Sequence, residues 1–435
     1  MRKLHPLAFS IAVASLAALA GCGDDGGTTS SQSTPSGSTG VSTGGAGGTG
    51  GTGGAGGAGG MGEVGGAGGA GGGAGGAGGG GNAVCTPEGA FDGAPVDAAA
   101  DQWTWVPVPE AKCRNGSATG FGIRKNPASS KLVIYLEGGG ACFNALTCQQ
   151  NPQSYASTNF DNWKNGGGKS GVFDTANPDN PVKDWSFVYV PYCTGDVHAG
   201  DATDVDVPGN LGAPKGQSFV GYANIGHYLK RIIPSFPGVT EVLLTGVSAG
   251  GFGALYNYDR VAQAFCPTPV VLIDDSGPPM SDQYTPACLQ ERWRTLWGLD
   301  KTMPKGCVEC SNPQGGGLVN AYTFFGEKYK DGRLGIVSSD KDNVISLFYG
   351  FGKNNCANID GFPSGLSGAE YAAGLAEVRD NFLKLSPAWG TYFISSTTHT
   401  WLGGNGFYST NVGGKPLTGW VSDLVNDGPA SHVGP

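Results

Sequence analysis

Short runs of apolar and β-branched residues recur along the chain from residue 131 onward, at 131–136, 185–190, 241–245, 270–273, 333–337 and 391–394. They are continuous rather than alternating, which suits strands of a parallel sheet covered on both faces. Between them the apolar spacing changes to that of helices. Residues 223–233 put Ile225, Leu229 and Ile232 on one face, and 371–385 do the same with Tyr371, Leu375, Val378, Phe382 and Leu385. A third helix is expected over 253–265. Strands alternating with helices predict an α/β fold, a doubly wound, mainly parallel sheet of the α/β-hydrolase type with helices on both faces. In such sheets ligands bind beyond the carboxyl ends of the strands, so the residues that follow each strand carry the chemistry.

After the 241–245 run comes Gly246-Val247-Ser248-Ala249-Gly250-Gly251. This is G-x-S-x-G between a strand and a helix, the setting of a nucleophile elbow, in which small flanking residues let a tight turn expose the serine hydroxyl. After 131–136 comes Glu137-Gly138-Gly139-Gly140-Ala141. Consecutive glycines allow backbone N–H groups to approach a developing oxyanion, and Glu137 stands where esterases of the HGGG type carry histidine. Backbone N–H groups of this glycine run are expected to receive the oxyanion, and the Ala249 N–H, one residue past the nucleophile, supplies another donor. A general base must follow the nucleophile in this fold. Of the five histidines, His5 lies in the leader, His198 and His227 precede Ser248, and His432 lies in a tail expected to fray. His399, just past the last strand, is left. The acid must lie between Ser248 and His399 at a strand end, where both Asp340 and Asp342 qualify. Asp274 and Asp275 end the preceding strand, one element too early for the acid, and either orient the site or cap a helix.

The N-terminus divides the chain further. Arg2 and Lys3 precede an apolar run, 7–20, that is short for a bilayer span, and Leu19-Ala20-Gly21-Cys22 resembles a bacterial lipobox with Cys22 as the lipidated residue. Residues 23–82 are Gly-Gly-Ala and Gly-Gly-Thr repeats, with too little apolar surface to offset ordering entropy. They are expected to be a flexible linker with a reach of roughly 40 Å. The expected organisation is a leader and lipobox over 1–22, the linker over 23–82 and an esterase domain over 83–435. No later stretch is long and apolar enough to span a membrane, so contact with one is expected only through the N-terminal lipid. The net charge of −9 is mild and there is no basic stripe, which argues against nucleic acid. Setting Cys22 aside, ten cysteines remain, an even number that reads as disulfides in an exported chain. Cys142 with Cys148 and Cys307 with Cys310 invite local pairing, and no second CxxC or histidine pair makes the latter a zinc site.

These residues resemble the pectin acetylesterase family, which also includes the animal carboxylesterase Notum. The resemblance is carried by Tyr135 to Asn144, Pro191 to His198, Gly246 to Gly251, Asp275-Ser276-Gly277, Ser339 to Tyr349 and His399-Thr400-Trp401. It implies a Ser248, Asp342 and His399 triad, favouring Asp342 over Asp340, an oxyanion hole at Gly139, Gly140 and Ala249, and several disulfides; the expected acyl-enzyme chemistry needs no cofactor or metal. Ala141 departs from the family, whose members often carry tryptophan there, and a smaller residue changes the pocket wall. Gly195-Asp196-Val197-His198 also occurs in relatives; an Asp-stabilised loop is preferred over a substrate or metal site. The function expected is a serine carboxylesterase at the cell envelope, removing acetyl groups from a polysaccharide such as pectin through an acyl-enzyme. The alternatives are a lipid esterase or thioesterase, marked by a deep apolar acyl tunnel, and a catalytically silent carbohydrate-binding protein.

Overall fold

A computed structural model describes residues 85–87, 89–209, 212–312 and 314–435. The leader, the Cys22 lipobox and the 23–82 linker therefore lie outside the described residues. Nine strands form the main sheet: β1 (Thr104–Lys112), β2 (Ala118–Arg124), β3 (Lys131–Leu136), β4 (Ser186–Val190), β5 (Glu241–Val247), β6 (Val270–Asp275), β7 (Leu334–Ser339), β8 (Trp389–Ile394) and β9 (His432–Val433). Their order is β1-β2-β4-β3-β5-β6-β7-β8-β9. From β4 to β9 every pairing is parallel, and only β1 with β2 and β2 with β4 are antiparallel.

The continuous apolar runs are explained by burial on both faces. Every residue of β4 to β8 is buried, and β3 is buried but for Lys131. Alternate residues feed two cores. Leu132, Ile134, Val242, Leu244 and Leu272 face the core that includes the helices Gly221–Ser235 and Ala249–Phe265. Val133, Leu243, Val271 and Val337 face the one closed by Leu417–Val425. Burying each such side chain stabilises the fold by about 1.5–3 kcal/mol, so this double-sided layer anchors whatever the strand ends carry.

The expected fold class holds, with corrections at its margins. The antiparallel β1–β2 pair was not foreseen: Thr104–Lys112 carries Pro107 and Pro109, which read as strand breakers. At the sheet edge proline is tolerated, because the missing N–H faces no partner strand. The C-terminal tail is not frayed, since His432 and Val433 pair with Thr391 and Tyr392 of β8. The helix expected over 371–385 is an α-helix only over Gly368–Glu377 and continues as a π-helical stretch over Val378–Leu383.

Among the described residues five disulfides join all ten cysteines: Cys85–Cys266, Cys113–Cys193, Cys142–Cys148, Cys288–Cys356 and Cys307–Cys310. Both local pairings read from the spacing are present. Among these residues no helix is long and apolar enough to cross a membrane.

Candidate active site

The ends of β3, β5, β6, β7 and β8 converge on one region. β5 runs into the helix Ala249–Phe265 through Ser248, whose backbone stands at φ 57° and ψ −122°. A non-glycine residue there is strained, and such strain is held only where the surroundings over-determine it. They do here. A Cβ on Gly250 would lie 2.0 Å from the Leu136 carbonyl oxygen, and one on Gly246 would lie 2.3 Å from that of Gly250. Only glycine lets the turn close this tightly. Among the described residues no side-chain hydrogen bond engages the Ser248 hydroxyl, while its N–H donates to the Asp275 carbonyl at 2.8 Å.

His399 follows β8. Its Nδ1 lies 2.7 Å from Asp342 Oδ2, while Nε2 is buried and makes no hydrogen bond among the described residues. A carboxylate on Nδ1 selects the tautomer with the proton there, which leaves Nε2 as a free base. Asp342 is fully buried and fixed by its own helix: its Oδ1 accepts from the N–H groups of Val344 and Ile345, at 2.9 and 3.0 Å. Asp340 instead accepts from Ser396 N–H and sits near Lys341. Of the two carboxylates left open by the chain order, Asp342 is the one on the histidine.

The loop after β3 passes beside the elbow. Gly139 and Gly140 both have positive φ, at 153° and 76°. Gly140, Ala141, Ser248 and Ala249 together line one pocket, whereas Gly139 is not part of its wall. The Gly139 carbonyl accepts from Asn151 Nδ2 at 2.8 Å. The loop rests on buried polar groups. His198 Nε2 donates to the Glu137 carbonyl at 2.8 Å, and Tyr192 N–H donates to Glu137 Oε2 at 2.9 Å. Burial pushes the Glu137 carboxyl up to about 7, opposed by hydrogen bonds from Tyr189 and Tyr192. Burial also holds His198 down at about 4, so it stays neutral. Asp196, likewise buried, accepts from Thr194 Oγ1, His198 N–H and Gly221 N–H. In the Gly195–His198 segment these side chains are therefore engaged in the loop's own hydrogen bonds and in tying it to Glu137 and Gly221.

Glu137 gives the domain a testable pH dependence. A carboxyl whose pKa rises on folding binds its proton more tightly when folded. Its stabilising contribution is complete below the ordinary value of 4.5 and is lost as pH rises through about 7. Between pH 5 and 8 the parent should lose about 3 °C more in Tm than Glu137→Gln, as followed by circular dichroism. Parallel curves would exclude this assignment.

Beyond Ser248 the pocket encloses about 620 Å³ of space, part of it open to solvent. Its walls are almost wholly apolar and include Phe252, Met280, Trp293, Trp297, Ile345 and Phe348. The sequence did not single these residues out, although Trp293 and Trp297 are four apart on the helix Ala287–Trp297 and stack at 5.8 Å. That spacing marks a helix face that packs against something, but not that a cavity lies there.

Residues 100–329 match the Pectinacetylesterase family, slightly more than half of the chain. Ser248 and the glycine loop fall inside the match, and Asp342 and His399 beyond it. Palmitoleoyl-protein carboxylesterase notum2 of Xenopus laevis is 31% identical over 156 residues, 34% of this chain and 30% of the relative. Palmitoleoyl-protein carboxylesterase NOTUM of Drosophila melanogaster is 28% identical over 217 residues, 45% of this chain and 31% of its own length. The chain thus spans about a third of the length of these curated relatives. A crystal structure of the Wnt deacylase Notum from Drosophila superposes with a TM-score of 0.51 at 19% identity, covering 75% of this chain and 94% of that one. At that identity the likeness is one of fold.

Proposed function

The chain belongs to the Pectinacetylesterase family, and on that premise we propose that it is a serine carboxylesterase acting through an acyl-enzyme. Ser248 is the nucleophile. His399 Nε2 takes its proton as it attacks the ester carbonyl, while Asp342 holds the imidazole tautomer and stabilises the imidazolium. Backbone N–H groups of Ala249 and of Gly139–Gly140 receive the oxyanion; Gly140 and Ala249 are best placed, since they share the pocket wall with Ser248. The protonated His399 then returns its proton to the leaving alcohol. Water, deprotonated by the same histidine, releases the acid. No step calls for a cofactor.

The observation that carries the reading is the His399–Asp342 contact at 2.7 Å, with Nε2 left unpartnered. It belongs with a strained serine whose helix begins at the same pocket.

The pocket also bears on the substrate. An acyl group esterified at Ser248 would lie along these almost wholly apolar walls, where each buried methylene is worth about 0.8 kcal/mol. This supports an ester of a medium or long acyl chain. The family's description favours the second reading, acetyl esters of a polysaccharide. The two differ in acyl length and not in mechanism. Initial rates on aryl acetate and aryl octanoate separate them: octanoate should be preferred by at least about tenfold in kcat/KM. Preference for acetate, with release of acetate from acetylated pectin or xylan, would establish the polysaccharide reading.

Ala141 provides a second handle, because it lines the pocket beside Gly140. Ala141→Trp should fill the acyl end and lower the octanoate-to-acetate ratio of kcat/KM at least about tenfold while sparing acetate. An unchanged ratio would show that the acyl chain lies elsewhere. Five disulfides fit an exported protein working in an oxidising compartment. Anchoring through Cys22 extends that reading to a lipoprotein held at the cell envelope, testable by metabolic labelling with a fatty acid.

A further inference from the structure

Asp275, at the end of β6, touches both halves of the site. Its carbonyl accepts the Ser248 N–H at 2.8 Å, tying down the elbow from the neighbouring strand. Its Oδ2 accepts two further N–H groups, from Trp401 and Leu402, both at 2.7 Å. These residues follow His399 by two and three positions, across a turn in which Thr400 has φ 67°. Oδ1 accepts from Ser276 Oγ at 2.9 Å, so the carboxylate is held on both oxygens. Asp274 beside it is spent differently, with Oδ1 accepting from Gly277 N–H.

We infer that Asp275 is a positioning residue: it holds the nucleophile elbow and the histidine loop in register, and it gives the imidazolium formed during reaction a second carboxylate besides Asp342. This inference rests on the triad reading above. The register part follows from the hydrogen bonds, since one side chain and its own carbonyl join two segments more than a hundred residues apart in sequence. The electrostatic part follows from the surroundings. Asp275 is fully buried. His399 acts on it from the β8 loop, Asp274 adjoins it on β6, and Asp342 faces the same imidazole from the loop after β7. Tyr256, Tyr322, Tyr349 and Tyr371 surround Asp274 as neutral phenols. Burial pushes the Asp275 carboxyl up to about 6, while the Leu402 and Trp401 N–H groups, Ser276 and His399 oppose the rise. With the imidazole protonated, the ionised carboxylate is favoured.

The test is Asp275→Asn in the full chain. Its amide oxygen can still accept from the loop, but the charge is gone. kcat on the preferred aryl ester should fall about 10–100-fold, with KM within about twofold. The acid limb of kcat/KM against pH should also move down by about half a unit. The direction follows because a carboxyl that burial raises to about 6 and that must be ionised has been removed. Amide exchange over residues 397–404 should quicken in Asp275→Asn, and more so in Asp275→Ala, because the loop loses a charged acceptor. Parent values of kcat and of the acid limb in Asp275→Asn would overturn the inference. So would a fall in kcat with the limb unmoved, which is what a purely structural role produces. Ser248→Ala, measured alongside, separates the two readings. If the parent has no Ser248-dependent turnover, the triad reading fails and takes the electrostatic part with it. Unchanged exchange at 397–404 would still overturn the register part.

Discussion

Replacing Ser248 with alanine should lower kcat on aryl esters by about 10⁴–10⁶-fold and leave the protein folded. The size follows from the division of labour at the site. Without the hydroxyl no acyl-enzyme can form, and His399 and Asp342 lose the group they activate. What persists is substrate held against the pocket wall beside the Gly140 and Ala249 N–H groups. Folding should survive because, among the described residues, no side-chain hydrogen bond engages the hydroxyl. The strain at φ 57° is a property of the backbone that alanine shares. Thermal unfolding together with initial rates checks both halves: a Tm within a few degrees of the parent, and turnover lowered about 10⁴–10⁶-fold. Substantial hydrolysis by the variant would mean that a different group does the chemistry.

Asp342→Asn should be nearly as damaging, at about 10⁴-fold in kcat, for a subtler reason. An asparagine amide turned toward His399 Nδ1 favours the opposite tautomer, which places the proton on Nε2 where the base must be free. Asp342 has a second task, capping the helix Asn343–Tyr349 through the N–H groups of Val344 and Ile345. Asparagine caps about as well as aspartate, whereas alanine at such a position costs about 0.5–2 kcal/mol. The asparagine variant should therefore be catalytically crippled yet close to parent stability, and Asp342→Ala crippled and less stable. Comparing rates and unfolding midpoints for the pair separates catalysis from capping. An asparagine variant within tenfold of parent activity would remove Asp342 from the triad, and equal stability losses would remove its capping role.

Much of this was legible in the sequence because the information was local. A strand buried on both faces needs an unbroken apolar run, and 131–136 and 241–245 supply one, with β5 extending two residues further into the elbow itself. The residues after those strands carry glycines that only a tight turn requires. His399 could be reached by elimination, since the chain has so few histidines. Asp342 and Asp340 could not be separated from the residues alone. Both follow β7, and the choice depends on which way the helix after Asp342 turns its first N–H groups.

The rest depended on contacts between distant segments. Glu137 looked like a substitution in the oxyanion loop. It proves to be a buried partner of Tyr189 and Tyr192, brought to it by the β3–β4 pairing. Asp275 read as a residue in the wrong element, and its hydrogen bonds to Trp401 and Leu402 cross 126 and 127 positions. The pocket was least legible of all. Its walls come from the glycine loop, the elbow helix and the segments that follow β6 and β7. An apolar side chain in those segments reads the same whether it fills a core or lines a cavity. The expectation of an acetylated polysaccharide rested on the family resemblance and the lipobox, neither of which reads the cavity, and the apolar character of its walls is what supports the longer acyl chain proposed above.

The measurement that tests the central claim most directly is rapid-quench mass spectrometry of the full chain mixed with aryl octanoate. The account predicts a transient adduct of one octanoyl group, mapped by peptide analysis to Ser248 and absent from Ser248→Ala. Turnover with no adduct at Ser248, or with the acyl group on another residue, would contradict it.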